Sequence, residues 1–537
     1  MEKDRSMRAS ERMLFLFAPK AAAARYTKRL KKQHFEEGAS PKTGGNIRMA
    51  GGYANHGASY NLNALKGWIT SGGSAEEDID LTAATLRERA RDLYTGGGLG
   101  RSAPATLTTN VIAWGVKCKP KIDADALGMS VEAADQWERT TMREFALWAE
   151  NVYCDAARQH DFYQLQRLAF LNMLMSGDCF VLFGEKENRR TPYSLTLRLI
   201  EADRVSTPES NGQSTSEALE SGGRIIDGVE VDAEGAVVRY HIANKHPLSD
   251  DTADIEWVSI EAFGSETGEP NILQIASMER PEQHRGIPFV AAEIESIKQL
   301  DRYVKSELLA NVVSSMLTTF ITSDMDDGQL GIEDSVSQEE KIDNSELNIE
   351  MAAGAVYELP PGKKPVAINP MRSNTVFNDY TNQMATLTGA GLEIPKEVLV
   401  KKYESNYTAA RAALLDFWRV VRIRRSAFNS AFNQPVYEAW LAQAVATGRI
   451  KAPGFFDAPE KRKAWSGAMW LGASMGHVDP LKEINAAAQR IALNISTQEQ
   501  EASEYNGGNW EENVRQRLKE MSIMEQTGTD NKGDDKT

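Results

Sequence analysis

The chain has 537 residues, 41% hydrophobic and 26% charged, with a formal net charge of −15. That length predicts about three or four domains at roughly 100–200 residues each, and the composition excludes a disordered or fibrous protein. Three cysteines, Cys118, Cys154 and Cys179, are too few and too scattered for a disulfide framework or a thiolate metal cage, which points to a reducing compartment. No stretch approaches the roughly 18 apolar residues that span a bilayer, so a soluble, non-secreted chain is expected.

Residues 1–60 begin basic, Met1–Gln33 carrying ten Lys/Arg against three acidic residues for a net of +7, then turn rich in Gly, Ser and Asn. They read as a flexible arm and linker, the arm either solvated or held by an anionic partner. Apolar residues every three or four positions predict helices at Leu81–Tyr94, Ser130–Glu150 and His160–Met175. The period then changes to two in "SLTLRLIEADRVSTP" and "IIDGVEVDAEGAVVRYHIA", where the turn "DAEG" marks a hairpin from about Gly228 to Ile242.

From Ala291 to Thr322 the helical period returns for about eight to nine turns. Asp324–Glu350 follows with ten Asp/Glu against Lys341 alone, a net of −9, and reads as a solvated loop. "AAGAVYELPPGKKPVAI" predicts two short strands around a Pro-Pro-Gly-Lys turn, and "TVFNDYTNQMATLTGAGL" a helix that stops at Gly391 and Pro395. A strand-bearing insert therefore projects between two helices. Thr408–Ala446 is the longest helical pattern of the chain. Beyond it, Asp479 is placed to cap a helix opened by Pro480, Ser496 and Glu499 have capping-box spacing, and "NWEENVRQRLKEMSIMEQ" supplies a last helix before a polar tail.

The chemical motifs are weak. "GASMG", Gly472–Gly476, matches the Gly-x-Ser-x-Gly elbow, but hydrolases of that type run Ser, then Asp or Glu, then His, and the only His after Ser474 is His477. A hydrolase acting on nucleic acid or peptide bonds is thus the alternative, and a loop the plainer reading. "TGGGLGRS" follows a helix and lacks dinucleotide-turn spacing, and no phosphate-binding loop occurs. "SDMDDGQLGIED" places Ser323 and Met325 where a calcium loop needs carboxylates. The seven His are dispersed, with only His241 and His246 close in sequence. No catalytic residue, metal site or cofactor is assigned.

On a wheel of about 100° per residue, Arg411, Arg419, Arg422 and Arg425 fall within one arc, and Ala413, Leu414, Phe417, Val420, Val421, Phe428 and Phe432 fill another. The helix is amphipathic, with a basic stripe left for water, carboxylates or phosphate. Pairing with carboxylates or solvation is favoured over DNA contact. A monomeric DNA-binding module is disfavoured by the net charge.

In "LIEADRVSTPES", "DGVEVDAEGAVVRYHI", "HRGIPFV", "GLEIPKEVLVKKYESNYTAARAALLDFWRVVRIRR" and "MWLGASMGHVDPLKEINAAAQRIALNISTQEQEASEYNGGNWEENVRQRLKEM", taken in that order, the chain resembles the lambda-type phage portal proteins. The likeness spans most of residues 80 to 522; residues 1–60 have no counterpart. It implies a mainly helical α+β fold with a wing at 61–291, stem helices at 292–323 and 372–392, a clip at 324–371, a tunnel loop at 393–407, a long helix returning to the wing at 408–475, and a crown at 476–537.

The resemblance further implies a homo-oligomeric ring, a dodecamer, at the unique capsid vertex. Double-stranded DNA would be packaged and ejected through it, with the terminase large subunit, a head–tail adaptor, and the major capsid protein or scaffold as partners, and no membrane. Such a protein works in the virion after assembly in the host cytoplasm and is no enzyme. Lys401, Lys402, Tyr403, Glu404, Ser405 and Asn406, with Arg411, would border the DNA, and Arg419, Arg422 and Arg425 would meet a neighbouring subunit. The negative charge suits a sliding channel, because each neutralised phosphate would add affinity and slow movement.

Overall fold

The computed structural model describes residues 63–65, 68, 72–210, 213–214, 223–247, 249, 255–315, 320–321, 357–358, 376–403, 407–475, 480–506 and 508–527. The basic arm, the acidic block, Glu404 to Asn406, Asp479 and the polar tail lie outside them. The chain divides into two units, 1–72 and 73–537, against the three or four domains that length suggests. In the first unit a single 3-10 turn, Asn63–Leu65, is described.

Within the second unit, Ser74 opens α1 (Ala75–Gly96): its Oγ accepts from Glu77 N at 3.2 Å, and the Glu77 carboxylate accepts from Ser74 N at 3.1 Å. Gly97, at φ +89°, turns the chain into α2 (Gly98–Val111). A Cβ on Gly100 would lie 2.7 Å from the Leu93 carbonyl oxygen. The run "TGGGLG" is therefore a tight corner between two packed helices. β1 (Lys117–Pro120) and the one-turn α3 (Ala124–Leu127) lead to α4 (Val131–Ala149), capped by Ser130, and α5 (Phe162–Ser176), capped by Asp161 and Gln164.

β2 (Asp178–Glu185) and β3 (Leu195–Glu201) pair antiparallel, with Phe180 opposite Ile200. A meander follows of β4 (Arg224–Ile226), β5 (Val229–Val231), β6 (Val237–Ala243) and β7 (Trp257–Glu261), and β8 (Ile272–Ala276) then returns to the free side of β2. The "DAEG" hairpin forms where expected: Asp232 Oδ1 accepts from Glu234 N at 3.0 Å and Ala236 N at 2.8 Å. Phe180, Ile200, Val205, Ile226, Val229 and Tyr240 fill the space between the two sheets. Arg285 joins them from below. Its side chain is fully buried, donates to Asp178 through Nε at 2.7 Å and Nη2 at 3.2 Å, and also reaches the carbonyl oxygens of Ala202 and Val205. Gly286 lets this segment pass against Gly177, whose carbonyl oxygen would sit 2.0 Å from an added Cβ.

α6 (Ile294–Ser315) has 22 residues, or roughly 33 Å at about 1.5 Å per residue. A 3-10 turn, Ala291–Glu293, precedes it, and residues 316–319 of the expected span lie outside the described residues. β9 (Phe320–Ile321) and β10 (Tyr357–Glu358) pair in parallel, Phe320 opposite Tyr357. Tyr357–Glu358 thus joins a strand that precedes the acidic block, and a parallel pair needs a long connection, which residues 322–356 supply. The second strand expected around the Pro-Pro-Gly-Lys turn lies outside the described residues. α7 (Phe377–Gly391) lies against α6, with Tyr303 stacked on Phe377 at 5.7 Å and edge-on to Tyr380 at 4.7 Å. The short α8 (Lys396–Val400) follows.

The longest helical pattern is one continuous run with a flaw in it. α9 (Tyr407–Phe428) passes into a π-helical turn, Asn429–Asn433, and on into α10 (Gln434–Ala446). Pro435 supplies the reason, since it has no N–H to donate and its ring crowds the preceding turn, so the helix widens instead of stopping. The run carries the centre of the core. Phe428, Phe432, Tyr437 and Trp440 meet Phe145, Phe162 and Phe170 from α4 and α5, with ring centroids 4.9 Å apart for Phe145–Trp440 and 5.3 Å for Phe170–Phe428. The amphipathic reading of the wheel matches this burial: Phe417, Val421, Phe428 and Phe432 are buried, while Arg419 and Arg422 are exposed.

After α11 (Pro459–Trp465), β11 (Ala468–Leu471) pairs antiparallel with β1, Lys117 opposite Leu471. α12 (Pro480–Ala492), α13 (Gln498–Asn506) and α14 (Trp510–Thr527) close the chain. Thr497, not Ser496, caps α13: its Oγ1 accepts from Gln500 N at 3.1 Å. The two hydroxyl residues are adjacent, and the helix starts one position later than the Ser496–Glu499 spacing suggested.

Candidate channel and subunit-contact residues

Lys401, Lys402 and Tyr403 leave α8 at its C-terminal end and are all exposed. Lys401 adopts the left-handed conformation, φ +58°, and the backbone N–H groups of Lys401 and Lys402 both donate to Glu397 O. This is a C-cap with lysine where glycine is more usual, a local strain of about 1–2 kcal/mol. The base of the loop is fixed. Val398 and Leu399 are buried, and Ser102 Oγ donates to Leu399 O at 2.5 Å. Two lysines and a tyrosine are therefore presented to solvent from a rigid platform, an arrangement suited to brief contacts with phosphate.

The arginines of α9 are used in three different ways. Arg411 pairs with Glu483 at 3.3 Å, and Arg422 with Glu504 at 3.7 Å, both carboxylates belonging to the C-terminal helices. Among the described residues Arg419 meets only Asp416, one turn earlier, at 3.8 Å, and both side chains are about 80% exposed. Arg425 turns inward: Nε and Nη2 donate to the carbonyl oxygens of Val111 and Asn110, each at 2.8 Å, capping the C-terminus of α2. Burial, then the nearby Arg422, push Arg425 down to about 10. Of the residues expected at a subunit contact, Arg419 is the most exposed; Arg422 is exposed but pairs with Glu504, and Arg425 is committed to the end of α2.

The nucleophile candidate is also accounted for. Ser474 Oγ donates to Tyr505 O at 2.7 Å, tying the loop after β11 to α13. His477 lies outside the described residues. All three cysteines are buried, and burial raises each thiol far above its ordinary range. Among the described residues no group of His, Cys, Asp and Glu is arranged to hold a metal ion, and no helix is long and apolar enough to cross a membrane.

Residues 62–425 match the family model described as phage portal protein, lambda family. The chain belongs to the lambda family of phage portal proteins. It is 22% identical to the portal protein of Escherichia phage N15 and 21% identical to portal protein B of Escherichia phage lambda, in each case over 88% of this chain and 90% of the relative. A probable portal protein of Halomonas phage phiHAP-1 is 23% identical over 79% of this chain and 77% of its own length. Among solved structures, the neck of a native gene transfer agent particle, computed with C12 symmetry, is similar at 12% identity with a TM-score of 0.38, covering 78% of this chain and 92% of that one.

In this portal-family chain, one buried ion-pair centre gives no sign of itself in the sequence. Lys119 on β1 is buried and pairs with Glu499 on α13 and, at 3.7 Å, with Glu511 on α14. Burial opposes its charge, yet the Glu499 carboxylate holds it above the usual lysine range; Lys119 in turn holds Glu499 below the usual carboxylate range. With Arg411–Glu483 and Arg422–Glu504, every one of these links sets a cation of the body against an anion of the C-terminal helices. In the sequence Lys119 is the middle one of three alternating lysines, Lys117, Lys119 and Lys121, and nothing local sets it apart from the other two.

Proposed function

We propose that this portal-family chain assembles into a closed ring, a dodecamer, at one vertex of a capsid, and that double-stranded DNA enters and leaves through its centre. The observation that carries the reading is the row of large apolar side chains left exposed on the paired helices. Val304, Leu308, Leu309 and Val312 on α6, and Tyr380 and Leu387 on α7, face solvent in the single chain. Exposed apolar rows of this extent mark interaction surfaces, and a ring of identical copies would cover each with its neighbour.

In this reading α6 and α7 are the stem, residues 61–291 the wing, 324–371 the clip and 476–537 the crown. Lys401, Lys402 and Tyr403, with Glu404, Ser405 and Asn406, narrow the channel, and Arg411 lies behind them. Arg419 meets the next subunit. The terminase large subunit and the head–tail adaptor dock on the ring, and the basic arm meets scaffold or capsid protein during assembly in the host cytoplasm. The protein is a conduit and platform without chemistry of its own, and the charge of −15 per copy keeps most of its surface repulsive to DNA. Native mass measurement tests this: a species near twelve times 59.4 kDa is expected, and a monomer that assembles with no copy of itself would overturn it.

A further inference from the structure

The π-helical turn of the long helix opens onto a cavity of about 610 Å³ that none of the roles above uses. Its wall holds Arg422, Arg425 and Lys463, the hydroxyls of Ser426 and Ser430, and the amide of Asn429, and no carboxylate. We propose that this cavity is a binding site for a phosphate-class oxyanion, held by the two guanidinium groups and the Lys463 ammonium with the serine and asparagine donors.

Each group is set to donate. Arg425 is fixed by its two bonds to the end of α2, and its Nη1 has no hydrogen-bond partner among the described residues. Lys463 has no carboxylate within 4 Å among them, nor do the hydroxyls of Ser426 and Ser430 have a partner. Asn429 Oδ1 is occupied by Asn433 Nδ2 at 2.7 Å, so what the Asn429 amide has left to offer is its N–H pair. Gln434 and Trp470 form a rigid back wall, Trp470 Nε1 donating to Gln434 Oε1 at 3.1 Å.

The electrostatics lead to the same ligand. Arg422 reaches one carboxylate, Glu504, only at 3.7 Å, and Arg425 reaches none. Burial first, and then the nearby Arg422, lower Arg425, and an anion bound between the two guanidinium groups would offset both effects. Planar guanidinium groups match the spacing of phosphate oxygens, and a lysine adds a point charge. The widened turn places Asn429 and Ser430 at the cavity, in keeping with the frequent presence of π-turns at functional sites.

The test is calorimetric titration of the purified full-length protein with inorganic phosphate at fixed ionic strength, with chloride as control. Saturable binding of phosphate is expected, weakened about tenfold or more by Lys463→Gln or Arg422→Gln. Both positions are exposed, and an unchanged melting curve for Lys463→Gln keeps folding out of the result. No saturable binding, or equal binding by the variants, overturns the site. A short DNA duplex distinguishes the sources: competition with phosphate and loss in the same variants assign a DNA-backbone phosphate, whereas phosphate binding that the duplex does not affect assigns a free anion. Binding of a glutamate-rich peptide without phosphate binding would overturn the proposal in favour of carboxylates from a protein partner.

Discussion

Arg285 and Asp178 form a doubly hydrogen-bonded ion pair in which neither side chain is exposed to solvent at all. The pair stands at the meeting point of the two sheets, where Arg285 also takes Asp227 at 2.8 Å and lies over the ring of Phe180 at 5.4 Å. Removing one partner strands a buried charge, at a cost of about 3–5 kcal/mol. Arg285→Met is expected to lower the denaturation midpoint sharply, and Arg285→Lys to rescue little, since an ammonium cannot reach both oxygens and the carbonyls together. Chemical denaturation of the variants, followed by far-ultraviolet circular dichroism, measures it.

The attachment of the C-terminal helices should weaken in acid. Glu499 and Glu501 are held below their usual range by hydrogen bonds from Lys119 and Arg490 respectively. A depressed carboxylate contributes its full stability above its unfolded pKa, about 4.3, and loses it as pH falls through the folded value. Glu138, raised by burial, has the opposite sign. Hydrogen exchange at pH 7 and below pH 4.3 is expected to show protection lost in α13 and α14 before α4, and Glu499→Gln to remove much of the difference.

The aromatic centre should be costly to thin. Phe432 is fully buried, and its ring meets Phe162 at 5.6 Å and Phe428 at 5.3 Å. Phe432→Ala is expected to cost about 3–5 kcal/mol, whereas Trp114→Ala, at a side chain 69% exposed, should cost under about 0.5 kcal/mol. Thermal melts of the two variants side by side provide the comparison.

At the proposed channel, Lys401→Ala with Lys402→Ala should change packaging or retention of DNA and leave ring assembly intact, because both lysines are exposed beyond the buried Val398–Leu399 anchor. Arg419→Ala should instead reduce the yield of rings on native mass measurement. The reverse pattern, rings lost in the lysine variant and packaging alone impaired in the arginine variant, would refute the placement of both segments.

Local rules made the helices and the hairpin readable. The "DAEG" turn carries its own hydrogen bonds, and the apolar stripe of α9 repeats at the helical period. What could not be read comes from distance along the chain. β2, "DCFVLFGE", is covered on both faces and so shows little alternation, and β1 becomes a strand only by pairing with residues about 350 positions away. The arginine stripe was legible as a stripe, but its division into paired, exposed and buried members depends on Glu483, Glu504 and the end of α2, none of them near it in sequence.

The pairing of β1 with β11 also sets a clock. During synthesis β1 is exposed once Pro120 has emerged, yet its partner strand follows only with Ala468 to Leu471. At roughly 5–20 residues per second that interval is about 20–70 s. Throughout it, the backbone edge of β1 has no strand beside it and Lys119 has none of its carboxylates from α13 and α14. A chain truncated before β11 therefore keeps the β1 edge unpaired and leaves Lys119 without its two carboxylates, so the body of the subunit is completed only when translation is almost at its end.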